Sequence, residues 1–389
     1  MAAQVFVAKE CASGESRVAA TPETIKRYIK DGLAVTVEAG AGVSAHIPDT
    51  LYEEAGAHLA RDVEAVKAAW READLVLKVQ PPQQNDALGD HEAKLFKPGA
   101  ILITHVWPHK QLQAVKALAE QKVSTLAMDL VPRISRAQVM DSLSSQANIA
   151  GYKAVLLAAS RLGKYFPLLM TAAGTIHPSK VVIMGAGVAG LQAIATARRL
   201  GALVEVSDIR PAVKEQVESL GAKFIDLPMQ ESGEGQGGYA KEVSADFLAK
   251  QQEVLKQRIS QADVVITTAQ VPGRPAPRLV TADMVQAMKP GSIIVDIAAD
   301  SGGNCELTEN NREVEKFGVL IMGYSNLPNS MPHDASNLYA RNIQALVKLL
   351  NDKGTLKLNL EDEIITGALL TTDGAVRHAP TAEALKAGG

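Results

Sequence analysis

Residues Lys180–Asp208 read KVVIMGAGVAGLQAIATARRLGALVEVSD. The stretch opens on an apolar run, Val181–Met184, of the kind that forms a strand buried on both faces of a parallel sheet. Gly185, Gly187 and Gly190 follow in the spacing G-x-G-x-x-G, then an alanine-rich helical run to Leu200, a stop at Gly201 and a second strand, Leu203–Val206. Gly185 permits the tight strand-to-helix turn, Gly187 lets backbone approach a pyrophosphate, and Gly190 lets helix pack on strand. The helix start offers unpaired N–H groups and a partial positive charge to phosphates. Asp208, 18 residues past Gly190, is placed to accept hydrogen bonds from an adenosine ribose. The glycine spacing alone is weak evidence, and a plain glycine turn in an α/β domain is the alternative. Strand, glycines, helix, strand and acid in register predict a dinucleotide site. A carboxylate at 208 repels a 2′-phosphate and so favours NAD, while Arg210 works in the opposite sense.

Composition sets the frame for this motif. A chain of 389 residues suggests two domains, and 47% hydrophobic with 21% charged residues is enough for proper cores. A net charge of −3 with no Lys/Arg-rich run argues against a nucleic-acid partner. The two cysteines, Cys11 and Cys305, lack metal-ligand spacing and read as reduced thiols. The start, MAAQVFVAKE, has no basic region and meets charge at Lys9 and Glu10, so it does not read as a signal peptide. Val181–Ala197 is short, glycine-broken and followed by Arg198–Arg199, so no membrane span is expected there.

Before the motif, strand-like runs at Val5–Ala8, Ala34–Val37, Leu75–Val79, Ile101–His105 and Ser124–Ala127 alternate with helical runs at Pro22–Asp31, Asp49–Ala55 and Gln111–Gln121. That alternation predicts a parallel sheet with helices on both faces, without a glycine fingerprint of its own. Arg17, Lys78 and His105 stand near strand ends, where they either face a ligand crevice or sit on a solvated rim. Pro132–Gly151, PRISRAQVMDSLSSQANIAG, is dense in hydrogen-bonding side chains and leads into a helix expected over Ser145–Leu162 with a stripe of small apolar residues. Arg133, Gln138, Asp141 and Ser144 fall in or just before its first turns. They fit either a ligand-facing hinge or ordinary helix capping.

After Asp208, a helix over Pro211–Leu220, a strand at Lys223–Ile225, a helix at Ala245–Ser260 and strands at Asp263–Thr267, Ser292–Ile297 and Val319–Met322 complete a doubly wound sheet. Met229–Ala240, MQESGEGQGGYA, is either an exposed linker or a lid ending in Tyr239. Asp300 follows a strand end. The tail reads as a helix, Asn337–Leu350, and short strands at Leu356–Leu360, Ile364–Thr371 and Ala375–His378, crossing back to the first domain. The expected architecture is α/β: two Rossmann-like doubly wound parallel-sheet domains separated by a cleft and joined by long helices. The first is discontinuous, 1–144 plus 330–389, and the second, 145–329, binds the nucleotide.

PRISRAQVMDSLSSQANIAGYKA, AAGTIHPSKVVIMGAGVAGLQAIATARRLGA, DIRPAVKEQVESLGAKF and GGYAKE together resemble the NAD(H)-binding component of proton-translocating nicotinamide nucleotide transhydrogenases. The likeness extends through KE…SRVAATPET and VDIAADSGGNCELTE, and RISRAQ is its most specific segment. It implies Si-specific hydride transfer from NADH to NADP⁺ held on an NADP(H)-binding partner subunit, coupled to proton movement through a membrane proton-channel subunit. It also implies a homodimer, cytoplasmic and attached peripherally to the inner membrane through its partners. In residue terms it implies that Arg133, Gln138, Asp141 and Ser144 hold the nicotinamide end, with Ile134, Ser135, Val139 and Met140 around them. Ala186, Gly187 and Val188 would meet the pyrophosphate, and Asp208, Ile209 and Arg210 the adenosine ribose. Gly238 and Tyr239 would belong to the closing loop, and Gln251 and Gln270 to further nucleotide contacts, Gln270 standing where the family more usually has leucine. The chain stops at Gly389, as in the three-polypeptide arrangement or a shortened subunit. Hydride transfer needs no protein acid or base, so catalysis there is positioning with water excluded.

The rival resemblance is to alanine dehydrogenase of the same fold family, a free-standing amino-acid oxidoreductase. Its substrate residues resemble Arg17, Lys78, His105 and Asp300. It lacks the RISRAQ pattern and the GGYAKE segment.

Overall fold

The computed structural model describes residues 2–227, 245–270 and 273–387, with backbone only at 245–249. Gly238 and Tyr239, with the whole of the expected lid, lie outside the described residues. The chain divides into two compact units, Met1–Gln146 with Pro328–Gly389, and Ala147–Leu327.

The main sheet of the first unit opens with six strands: β1 (Gln4–Val7), β2 (Ala34–Glu38), β3 (His58–Ala60), β4 (Leu75–Leu77), β5 (Ile101–Thr104) and β6 (Ser124–Ala127). β4, β5 and β6 are buried throughout, which explains the apolar runs of β4 and β5, while β6 buries Ser124 and Thr125 as well. All six pair in parallel, in the order β6-β5-β4-β1-β2-β3. The winding therefore reverses between β1 and β4, the place where doubly wound sheets bind ligands. Helix Val63–Glu72, capped by Asp62, is an element beyond those expected from the sequence. Its Trp70 meets Phe6 and Phe96 edge-on in the core. Helix α1 (Ser142–Arg161) starts three residues earlier than expected.

The second unit contains β7 (Lys180–Met184), helix α2 (Val188–Arg199), β8 (Leu203–Ser207), β9 (Lys223–Phe224), β10 (Val264–Thr267), β11 (Ile293–Asp296), β12 (Glu313–Lys316) and β13 (Val319–Met322). The sheet order is β9-β8-β7-β10-β11-β13-β12, parallel except for antiparallel β12 on the edge. β7 lies inside the sheet between β8 and β10, and the order reverses between it and β10. An exposed hairpin, Leu169–Thr171 with Gly174–Ile176, adds to the elements expected.

Returning to the first unit, α3 (Pro332–Leu350) and α4 (Glu363–Ala368) precede β14 (Leu369–Thr372) and β15 (Ala375–Val376). β14 joins β6 antiparallel with a bulge between Leu369 and Thr371, so this sheet is mixed too. The expected strand Ile364–Thr371 is helical in its first half. Asp362 accepts Ile364 N–H at 2.8 Å, and that cap starts α4 despite the β-branched residues behind it. Leu356–Leu360 is strand only at Leu356, and Ala379–Ala387 is a further helix. Both sheets match the α/β class expected, with antiparallel edges added. Among the described residues no helix is long and apolar enough to cross a membrane, and no His/Cys/Asp/Glu group could hold a metal. Both cysteines are free thiols.

Candidate functional site

β7 delivers the chain to Gly185 at φ +106°, a conformation that favours glycine. Gly187 then sits before α2 at φ −76° with no side-chain cap, so the first-turn N–H groups of α2 have no side chain bonded to them. A Cβ at Gly187 would meet nothing within 4 Å, so the space a diphosphate needs is open there. A Cβ at Gly190 would lie 1.9 Å from the carbonyl oxygen of Gly185, the close packing of helix on strand turn that this position was expected to serve. Gly151 serves the same purpose a layer further out. Its missing Cβ would lie 2.0 Å from the carbonyl oxygen of Ala189, letting α1 press on the first turn of α2.

Asp208 follows β8 and its side chain is nearly buried. Oδ2 accepts the Ala186 N–H at 2.7 Å, tying this acid to the glycine turn. Arg210 clamps the same carboxylate through Nε at 2.9 Å and Nη2 at 2.8 Å. Burial alone would raise this carboxyl, but the Arg210 and Ala186 bonds outweigh it and hold it below the usual range. A ribose diol would compete with Arg210 for Oδ1, leaving Oδ2 on the turn. Val188 and Ile209 are exposed beside these groups, Ile209 at 89%. Gln251 is half-buried in helix Ala245–Ser260, and Gln270 is exposed, donating to the Ile297 carbonyl at 3.2 Å.

In the first unit, Ser135–Met140 forms a single 3₁₀ segment ahead of α1. Arg133, Ser135 and Gln138 are exposed, and the Arg133 and Gln138 side chains carry no hydrogen bond among the described residues. Ile134 packs on the core and Met140 is buried in it, so these two anchor the segment rather than present side chains. Asp141 caps α1, its carboxylate accepting the Ser144 N–H at 2.9 Å and the Ser144 hydroxyl at 2.6 Å. Capping and openness thus divide the segment, with Asp141 and Ser144 committed to the helix start and Arg133 and Gln138 left open. Buried Asn342 donates to the exposed Val139's carbonyl at 2.9 Å, and Arg136 forms a fork on Asp362 at 2.8 Å per bond.

Arg17, Lys78 and His105 come together at the β1–β4 switch point, buried rather than on a rim. Carboxylates that the sequence reading did not single out surround them. Lys78 Nζ lies 3.3 Å from Glu10 and 3.2 Å from Glu92. Arg17 forks onto Glu15 at 2.8 and 2.7 Å and donates to Gln146 at 2.8 Å. His105 bonds Ser142 at 2.9 Å and stacks on Tyr339 and Trp107. Burial, then the Arg17 charge, pushes the imidazole down to about 3, so it is neutral at ordinary pH. Burial would lower Lys78, but Glu10 and Glu92 outweigh it and keep it charged.

Three buried carboxyls facing two cations leave one negative charge in excess, which a proton on Glu10 can neutralise: burial, only partly offset by Lys78, raises that carboxyl to about 7. Glu15 goes the other way, its Arg17 bonds outweighing burial to hold it at about 2. For Glu10 the folded form binds the proton more tightly than the unfolded chain. Its contribution is therefore full below about pH 4.5 and is lost as pH rises through about 7, worth roughly 3 kcal/mol. Melting temperature is expected to fall between pH 5 and pH 8, and Glu10→Gln should flatten that slope. An unchanged slope in the variant would show that the neutralising proton resides elsewhere.

Known proteins resemble this chain along nearly its whole length. The family descriptions "Alanine dehydrogenase/PNT, N-terminal domain" and "Alanine dehydrogenase/PNT, C-terminal domain" match residues 6–150 and 154–379. The chain is 47% identical over 379 residues to an NAD(P) transhydrogenase subunit alpha polypeptide of Rhodospirillum rubrum, covering 96% of this chain and 98% of that one. Among solved structures, the transhydrogenase from Sinorhizobium meliloti superposes with a TM-score of 0.86 at 44% identity, covering 96% of this chain and 99% of that one. An L-alanine dehydrogenase superposes with 0.81 at 27% identity, covering 99% of this chain and all of that one. With both halves matched and a transhydrogenase subunit nearly half identical along its length, this chain belongs to the alanine dehydrogenase/PNT family.

Proposed function

We propose that this chain is the NAD(H)-binding subunit of a proton-translocating transhydrogenase. It presents NADH for Si-specific hydride transfer to NADP⁺ on a partner subunit, with proton movement through a membrane partner. The observation that carries the reading is the glycine turn whose Ala186 N–H is held by Asp208, within a chain so similar to a transhydrogenase alpha subunit. α2 and the turn would take the diphosphate, and Asp208, released on one oxygen from Arg210, the adenosine ribose. Arg133 and Gln138, open in the first unit, would hold the nicotinamide carboxamide, with Asp141 and Ser144 fixing the segment's exit. Bound NADH supplies the hydride; the protein orients it and excludes water. Gly238 and Tyr239 would close over the nucleotide, and Gln251 and Gln270 would add contacts. A homodimer, cytoplasmic and held to the inner membrane by its partner subunits, completes the proposal.

The second reading, a free-standing alanine dehydrogenase, draws support from Arg17, Lys78 and His105. A substrate carboxylate needs an uncommitted cation, however, and Arg17 and Lys78 are both occupied by buried glutamates. The test is hydride transfer from NADH to an NADP analogue by the purified chain, with and without membranes carrying the missing subunits. Activity only with those membranes is expected. No rescue by the membranes, with NAD reduction when L-alanine is added to the chain alone, would overturn the proposal.

A further inference from the structure

Asn304 is fully buried in the second unit, beyond β11. Its side chain pairs with the Ala269 backbone as a strand would: Oδ1 accepts the Ala269 N–H at 3.0 Å, and Nδ2 donates to the Ala269 carbonyl at 2.9 Å. Nδ2 also donates to the Pro277 carbonyl at 2.8 Å. Only an amide offers a donor and an acceptor side by side in this way. The next residue is fixed as well, because buried Asp296 accepts the Cys305 N–H at 2.9 Å and the Thr308 hydroxyl at 2.7 Å.

Ala269 follows Thr268, the first residue past β10. The Thr268 hydroxyl points back across the sheet and is shared between the carbonyls of Met184 at 3.3 Å and Gly185 at 3.2 Å. Its N–H donates to the Met184 carbonyl at 2.9 Å. A Cβ on Gly185 would come within 2.5 Å of that hydroxyl, and one on Gly190 within 3.4 Å, so threonine and glycine turn are fitted to each other. The contacts run without a gap from Asp296 through Asn304, Ala269 and Thr268 to the turn.

We propose that Thr268 and Asn304 are positioning residues for the dinucleotide diphosphate. Asn304 fixes the exit of β10, and Thr268 then holds the two carbonyls on which the turn pivots, aiming the N–H groups of residues 187 and 188 and the first turn of α2. Both act through the turn and not on the nucleotide. The inference rests on reading Lys180–Asp208 as a dinucleotide site.

The test measures binding of NADH, ADP and adenosine to the full chain and to Thr268→Val, which removes the hydroxyl without changing the shape. Thr268→Ser and Asn304→Asp are measured beside it, with a melting temperature for each. Thr268→Val is expected to weaken NADH and ADP about tenfold, the effect of roughly one hydrogen bond, while adenosine, which lacks the diphosphate, changes less than about twofold. Thr268→Ser should restore NADH to within about twofold of wild type, a rescue that a packing role would not produce. Asn304→Asp, which sets a carboxylate against two carbonyls, should follow Thr268→Val. Unchanged NADH affinity in Thr268→Val, or equal loss for all three ligands, would overturn this proposal alone. A wild-type chain binding neither NADH nor ADP would overturn the dinucleotide reading and this with it.

Discussion

Lys78→Met is expected to destabilise the first unit by about 3–5 kcal/mol at pH 8, the usual cost of leaving a buried charge without its partner. Glu10 and Glu92 both lean on this one ammonium in a site closed to water. Methionine fills the volume but leaves two carboxylates with no cation between them. At roughly 2–4 °C per kcal/mol for a unit of this size, the melting temperature should drop by about 10 °C or more. The loss should shrink toward pH 5, because the Glu10 carboxyl is then neutral with or without the ammonium beside it. Adding Glu92→Gln to Lys78→Met should recover some of the stability. The measurement is a set of thermal melts from pH 5 to pH 8. A Lys78→Met protein as stable as wild type at pH 8 would show that the cluster is hydrated rather than closed.

Gly190→Ala should weaken NADH binding by about 100-fold, equivalent to roughly 3 kcal/mol, the upper end of the range for overpacking a close contact. The added methyl meets backbone, the Gly185 carbonyl at 1.9 Å, so no rotamer change relieves it and the turn itself has to move. That movement shifts the Ala186 N–H off Asp208 and displaces the start of α2. Gly187→Ala is the matched comparison: φ is −76° and the space is empty, so its melting temperature should equal wild type while NADH affinity still falls. Equal NADH affinity in wild type and Gly190→Ala, read by titration of the purified chain, would remove the turn from the binding site.

Sequence carried the second unit well because its signals are local. Four apolar residues, three glycines at fixed spacing and an acid after the next strand constrain β7, α2, β8 and Asp208 together. The first unit's parallel strands were legible for the same reason. What the sequence hid was whatever depends on distant pairing. Lys78 stands out in an apolar run, yet nothing near it announces Glu10 or Glu92, which arrive from 68 residues before and 14 after. Arg17 showed itself, while its close neighbour Glu15 carries no signal in the sequence that marks it as buried. Asn304 and Thr268 were invisible because a buried amide on a carbonyl is set by the sheet order, not by spacing. α4 reads as strand because Ile364, Ile365 and Thr366 carry strand preference. The informative residue is Asp362, one position before the helix.

The antiparallel seam between β6 and β14 has a consequence for biosynthesis. It joins Thr125 to Thr371 and Ser124 to Thr372, hydroxyl to hydroxyl, at 2.8 Å across a gap of 246–248 residues. A ribosome releases β6 long before it has made β14, and everything in Ala147–Leu327 emerges in between. The nascent first unit must therefore wait with β6 as a raw edge, open to wrong partners, while the nucleotide unit is able to finish ahead of it. In this protein the half that starts first is completed last.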